Sequence, residues 1–119
     1  MSLTVDQITF NHEVLGASVP VLVNFWAPWC GVCRMVSPML TDLQTQWQGQ
    51  IKLVSINADE NLKLANAYRL KNLPTVMLFD RGTLQCRFED FQNRDDLRNA
   101  AENLQMALES LMLRQGCSA

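Results

Sequence analysis

The chain lacks most of what would send it to a bilayer, a nucleic acid or an extracellular scaffold. Its apolar runs, such as Val21-Leu22-Val23, fall far short of the ~20 residues that cross a membrane. Basic residues are in no excess: 10 Lys and Arg stand against 12 Asp and Glu, a net charge of −2. Nucleic acid and anionic membrane are thereby excluded as main partners. The opening Met1-Ser2-Leu3-Thr4-Val5-Asp6 has neither a basic nor an apolar leader-like stretch, so a cytoplasmic setting is expected. Repeats, low-complexity tracts and Pro/Gly/Ser linkers are absent, and residues 1–119 read as one domain. Histidine is reduced to His12, which belongs to no motif and reads as a solvated helix residue. Cysteine is sparse, at positions 30, 33, 86 and 117. A domain of this length buries a core without disulfide staples, and reduced compartments keep thiols free unless they are catalytic or bind metal. The one close pair, Cys30 and Cys33, is therefore where chemistry is expected.

What is present is an ordinary globular composition, 48% hydrophobic and 18% charged. Thr9 to Leu15 reads as a short helix closed by Gly16. Val21 to Trp26 is a β-branched and aromatic run with one polar member, Asn24, suited to a strand buried on both faces. Val36, Leu40, Leu43 and Trp47 then recur on one helix face, with Pro38 inside that helix and expected to kink it, and Gly49 at its end. Ile51–Ile56 is a second buried strand and Asn61–Tyr68 a third, short helix. Thr75–Phe79 and Leu84–Phe88 form a hairpin across Asp80-Arg81-Gly82. A last helix starts near Asn93 or Arg94 and carries Leu97, Ala101, Leu104, Leu108 and Leu111. This order predicts an α/β protein with a central sheet between helical layers.

Cys30-Gly31-Val32-Cys33 directly follows a buried strand and opens a helix. At i and i+3 of a first helical turn, two cysteines fall within disulfide range. Unpaired backbone N–H groups and the positive end of the helix dipole stabilise a thiolate there, so the Cys30 pKa is expected below that of a free thiol. Cys33, one turn in, is expected to be more buried and less acidic. Zinc is the competing use of such a pair, but His12, Cys86 and Cys117 supply no second local ligand motif. No metal and no organic cofactor are expected.

Phe25-Trp26-Ala27-Pro28-Trp29-Cys30-Gly31-Val32-Cys33-Arg34 resembles the active-site segment of the thioredoxin family. Leu73-Pro74-Thr75 is similar to the family's cis-proline loop, and Phe79-Asp80-Arg81-Gly82 to its hairpin turn, at similar spacing over roughly residues 4–106. The resemblance implies the thioredoxin fold, a mixed β-sheet in a three-layer α/β/α arrangement. It also implies a thiol-disulfide oxidoreductase with Cys30 as nucleophile and Cys33 as resolving cysteine. Trp29, Gly31, Val32, Leu73 and Pro74 would surround them, with Pro74 packed on the pair and the Leu73 backbone pairing with an extended substrate. The implied partners are disulfide-containing proteins and an electron-donating reductase, and the chain is expected to be a monomer. Trp26, Trp47 and the methionines are expected in the core, Cys86 as a half-buried structural thiol, and Cys117 in a polar tail.

Four departures qualify the resemblance. Val32 stands where the family has proline, which restores a backbone donor between the cysteines. Asn24 replaces the family's buried aspartate and Ser55 its lysine partner, a joint loss that leaves neither ion unpaired and removes the usual proton acceptor for Cys33. Asn72 and Asp90 replace groove glycines, so a carboxylate narrows the rim and repels acidic partners. Residues Ala107–Ala119 extend the final helix, read as further packing on the sheet, with a docking surface as the alternative. The other functional readings are a redox-sensing or binding module with weak reductase activity, and an enzyme run towards oxidation or isomerisation.

Overall fold

The computed structural model describes residues 3–117, and side chains through 113. Five strands, β1 (Leu3–Thr4), β2 (Val21–Trp26), β3 (Lys52–Asn57), β4 (Thr75–Asp80) and β5 (Thr83–Phe88), form one sheet in the order β1-β3-β2-β4-β5. β1 and β2 run parallel to β3, whereas β4 is antiparallel to β2 and β5 to β4. Helices α1 (Cys33–Gln46), α2 (Leu62–Ala67) and α3 (Arg94–Cys117) complete it, with a π-helical turn at Asn11–Leu15 and a 3-10 turn at Ala58–Glu60. This is the mixed sheet flanked by helices that the sequence predicts.

The central strands show why their sequences are apolar throughout. In β2, Leu22 packs into the core beneath α1 and α3, while Val21, Val23 and Phe25 enter the core on the other face. In β4, Val76 and Leu78 join the first core and Met77 and Phe79 the second. Alternate side chains of one strand thus feed opposite layers. The second core carries an aromatic group in which Phe10, Tyr68 and Phe79 meet edge to face or tilted, centroids 5.7–5.9 Å apart.

α1 buries Cys33, Val36, Leu40 and Leu43, and runs through Pro38 as one helix. The missing proline N–H leaves the Arg34 carbonyl without its helical donor. Trp47 caps the helix and its Nε1 donates to Gln105 Oε1 of α3 at 3.1 Å. α3 continues the same core to Leu108 and Leu111, which are 0% and 3% exposed. The hairpin turn takes positive φ at Arg81 (52°) and Gly82 (83°). A side chain at Gly82 would also meet the Leu15 carbonyl at 3.1 Å, so glycine serves both conformation and packing there.

Several expectations are corrected. β1 is additional to the predicted elements, because two residues paired with Val54 and Ser55 leave no periodic signal. The methionines are not uniformly core: Met77 is buried, but Met35 is 45% and Met106 66% exposed. Met106 lies two residues from both Leu104 and Leu108, so it faces away from their buried stripe. The helix α3 reaches Cys117, replacing the expected polar tail at that position; its side chain and residues 118–119 lie outside the described residues.

Candidate active site

β2 ends at Trp26 and the chain turns through Ala27-Pro28-Trp29 into α1. The Cys30 N–H donates to the Ala27 carbonyl at 3.1 Å, which fixes the turn. Cys30 and Cys33 are disulfide-bonded with Cα atoms 5.4 Å apart, inside the range their spacing predicts. The Cys33 backbone N–H, at the start of α1, donates to Cys30 Sγ at 3.2 Å. That donor and the helix dipole favour negative charge on Cys30 once the bond opens. The expected difference in burial is not found: each cysteine is 6% exposed, because the bond holds both sulfurs in one small cluster with Ala27. The asymmetry between them rests on hydrogen bonding and helix position.

Leu73 and Pro74 come from the segment before β4, and Leu73 reaches the pair. The Leu73–Pro74 peptide is cis, Pro74 is buried, and Leu73 packs on the cluster of Ala27, Cys30 and Cys33. Val32 packs on the same cluster, and Gly31 is exposed with open space around its Cα. Trp29 is 70% exposed beside the cysteines and its Nε1 donates to Asp59 Oδ2 at 2.9 Å. Its ring is therefore presented to solvent by a hydrogen bond at its polar edge. At the rim, Asn72 Nδ2 donates to Asp90 Oδ1, and Thr75 Oγ1 donates to the Asn72 carbonyl at 2.6 Å. Asp90 has φ 63°, the left-handed backbone that glycine adopts most readily.

Asn24 and Ser55 are register partners on β2 and β3. Asn24 is 6% exposed and its Oδ1 has no hydrogen-bond partner among the described residues. Both residues line a cavity of about 380 Å³ with Trp26, Ala27, Pro28, Cys30, Cys33, Arg34 and Ser37. Trp26 is only half-buried and belongs to this site as much as to the core; its Nε1 is buried and also unpartnered. Trp26, Arg34, Ser37 and Asp59 were not singled out as site residues from the sequence. For Asp59 a signal was present: the acidic pair Asp59-Glu60 follows β3, which is parallel to β2, so both strands end at one edge.

Cys86 lies half-buried on β5, and burial pushes its thiol pKa up. His12 is exposed, 3.9 Å from Glu13. Among the described residues no group of three or more His, Cys, Asp and Glu side chains is placed to hold a metal ion. No helix among them is long and apolar enough to cross a membrane.

The thioredoxin family model matches residues 1–103. The chain belongs to the thioredoxin family. It is similar to thioredoxin 1 of Nostoc sp., with 50% identity over 78 residues, covering 66% of this chain and 73% of that protein. Thioredoxin 1 of Synechococcus elongatus is 46% identical over 82 residues, 69% of this chain and 77% of the relative. Thioredoxin of Synechocystis sp. is 45% identical over 78 residues, 66% and 73% of the two chains. Family membership and the bonded cysteine pair at the start of α1 make this a thiol-disulfide oxidoreductase that reduces protein disulfides.

Proposed function

We propose that Cys30 is the attacking cysteine and Cys33 the resolving one. The observation that carries this assignment is the Cys33 N–H donating to Cys30 Sγ at 3.2 Å, which favours the thiolate on Cys30 alone. The Cys30 thiolate attacks a substrate disulfide, one substrate sulfur leaves as thiolate, and a mixed disulfide forms. Cys33, as thiolate, then attacks Cys30 Sγ; the mixed disulfide breaks, the second substrate thiolate leaves, and the Cys30–Cys33 disulfide remains. Two electrons pass from the dithiol to the substrate, and a reductase partner must restore them.

Trp29, Gly31, Val32, Leu73 and Pro74 form the surface around the pair, with Asn24 beneath it. The exposed Trp29 ring and the packing of Leu73 on the cysteine cluster support that reading. Residues 1–119 act as one domain, a core of about 4–106 with the C-terminal helix added, in the cytoplasm and as a monomer. Insulin reduction followed by turbidity with dithiothreitol as donor is the direct test. Precipitation accelerated by the protein supports the reductase; no acceleration by a folded protein favours the binding or redox-sensing module.

A further inference from the structure

On β5, Arg87 is the register partner of Met77, and residues directly opposite in an antiparallel pair share a face of the sheet. Met77 is buried in the second core, against which Tyr68, Leu70 and Leu73 pack. A half-buried arginine on that face needs acceptors, and it has them. Its Nε donates to Glu89 Oε2 at 2.9 Å, its Nη1 to the Tyr68 carbonyl and its Nη2 to the Arg69 carbonyl at 3.0 Å. Those two carbonyls mark the end of α2. The Arg69 N–H donates to the Asn66 carbonyl at 3.1 Å and the Leu70 N–H to the Ala65 carbonyl at 3.0 Å, the paired bonds of a Schellman turn. Such a turn takes a left-handed residue, glycine by preference, and here Arg69 fills it with φ 52°. Arg87 thus braces a turn that the local sequence disfavours, with a planar fork across consecutive carbonyls. Three residues separate Arg69 from Leu73, which packs on the cysteine cluster. At the far end of that stretch Asn72 Nδ2 donates to Asp90 Oδ1. The segment 68–72 is therefore tied at both ends to residues 87–90.

We propose that Arg87 is a positioning residue for disulfide reduction: by bracing the turn after α2 it holds Leu73 where an extended substrate pairs. The proposal rests on the reading that the Leu73 backbone pairs with substrate. Its effect is selective for substrate type. Without the fork, the segment before β4 samples other arrangements, and fewer molecules are ready to receive a peptide backbone. The Cys33 N–H bond to Cys30 Sγ lies on a different element and stays in place. A disulfide with no peptide backbone therefore loses little.

The test compares the full-length chain with Arg87→Met, which keeps an unbranched side chain without donors, and Arg87→Lys, which keeps the charge without the fork. Each reduced protein is mixed in stopped flow with an extended disulfide-bonded peptide and with bis(2-hydroxyethyl) disulfide. In Arg87→Met the second-order rate constant for the peptide should fall about five- to tenfold, the result of a competent fraction of about 0.1–0.2. The small disulfide should react within about twofold of wild type, since it needs no ordered segment. Arg87→Lys should still be slower with the peptide by at least about threefold, because one ammonium cannot span both carbonyls. That variant carries the comparison if Arg87→Met does not fold. Hydrogen exchange at the Leu70 amide, a readout without turnover, should accelerate at least about tenfold in the slowed variants. Equal slowing of both disulfides, full rescue by lysine, or unchanged Leu70 exchange overturns the positioning role and leaves the Leu73 pairing standing. The pairing has its own control in the wild-type chain: a peptide N-methylated beside its disulfide should react more slowly. Equal rates for the methylated and unmethylated peptides overturn the pairing, and the proposal with it.

Discussion

Helix α1 starts and finishes in two different environments. At its start, Cys33 sits with Cys30 and Ala27 in a small cluster, and Arg34 and Ser37 face a cavity lined by an unpartnered amide and indole. Further along, Val36, Leu40 and Leu43 are buried against Leu104, Leu108 and Leu111 of α3 in the larger core. One region is polar and loosely filled, with Arg34 at its edge; the other is dry and apolar. Fold stability is concentrated in the second, which leaves the first free to carry sulfur chemistry in a polar setting. Beneath the site the register neighbours Asn24 and Ser55 are both uncharged, while the rim carries Asp90, tied to Asn72.

Separating the two regions by mutation gives the largest contrast. Cys30→Ser should lower insulin reduction by at least about 10³-fold, since the serine hydroxyl is not a competent nucleophile here. Its melting temperature should match that of the reduced wild-type chain. Cutting after Gln105 should do the reverse. Loss of Leu108 and Leu111, at ~1.5–3 kcal/mol for each fully buried leucine, should lower stability by about 3–6 kcal/mol while the cysteine pair still reacts. Urea unfolding and thiol titration separate those outcomes; an unchanged midpoint with a lost partner would assign the extension to docking.

Asn24→Asp links the two regions. A buried carboxylate here, with the nearby Arg34 solvent-exposed, should cost about 2–4 kcal/mol near neutral pH. Burial raises the folded-state pKa of that acid above its unfolded value of ~3.9. Stability relative to wild type should therefore fall as pH climbs above ~3.9 and level off beyond the raised folded pKa. The same group is a base near Cys33, so the mixed disulfide should resolve faster while the protein weakens. Melting curves from pH 3 to 9 with single-turnover kinetics test both signs; neither moving at pH 7 would mean that Asn24 does not act beneath the pair.

The smallest effect belongs to the rim. Asp90→Gly relieves a left-handed residue but removes the Asn72 hydrogen bond, so stability should change by less than about 1 kcal/mol. The kcat/KM for acidic disulfide peptides should rise about two- to fivefold and that for basic ones fall, through electrostatic complementarity. Equal changes for both peptides would make the rim a steric element only.

The central strands, α1 and the cysteine turn were legible because each is written locally: β2 as an unbroken apolar run, α1 as a 3.6-residue stripe, the pair by its place between them. The resemblance also linked Asn24 with Ser55, and the two are register neighbours on β2 and β3. What escaped the sequence is long-range. Trp29 meets Asp59 across 30 positions, and the buried Trp26 indole N–H has no partner among the described residues. Equal exposure of the two cysteines also could not be read from helix position, because it depends on the bond between them.

The division of labour between the cysteines is tested most directly by trapping. Cys30→Ser and Cys33→Ser proteins are incubated with oxidised insulin, quenched with acid and analysed intact by mass spectrometry, with Cys86 and Cys117 replaced by serine in both. The Cys33→Ser protein should accumulate a mixed disulfide through Cys30, since attack proceeds and resolution cannot. The Cys30→Ser protein should remain unmodified. A mixed disulfide on Cys33 in the Cys30→Ser protein, with none in its counterpart, would reverse the roles and contradict the account built on the Cys33 N–H and Cys30 Sγ hydrogen bond.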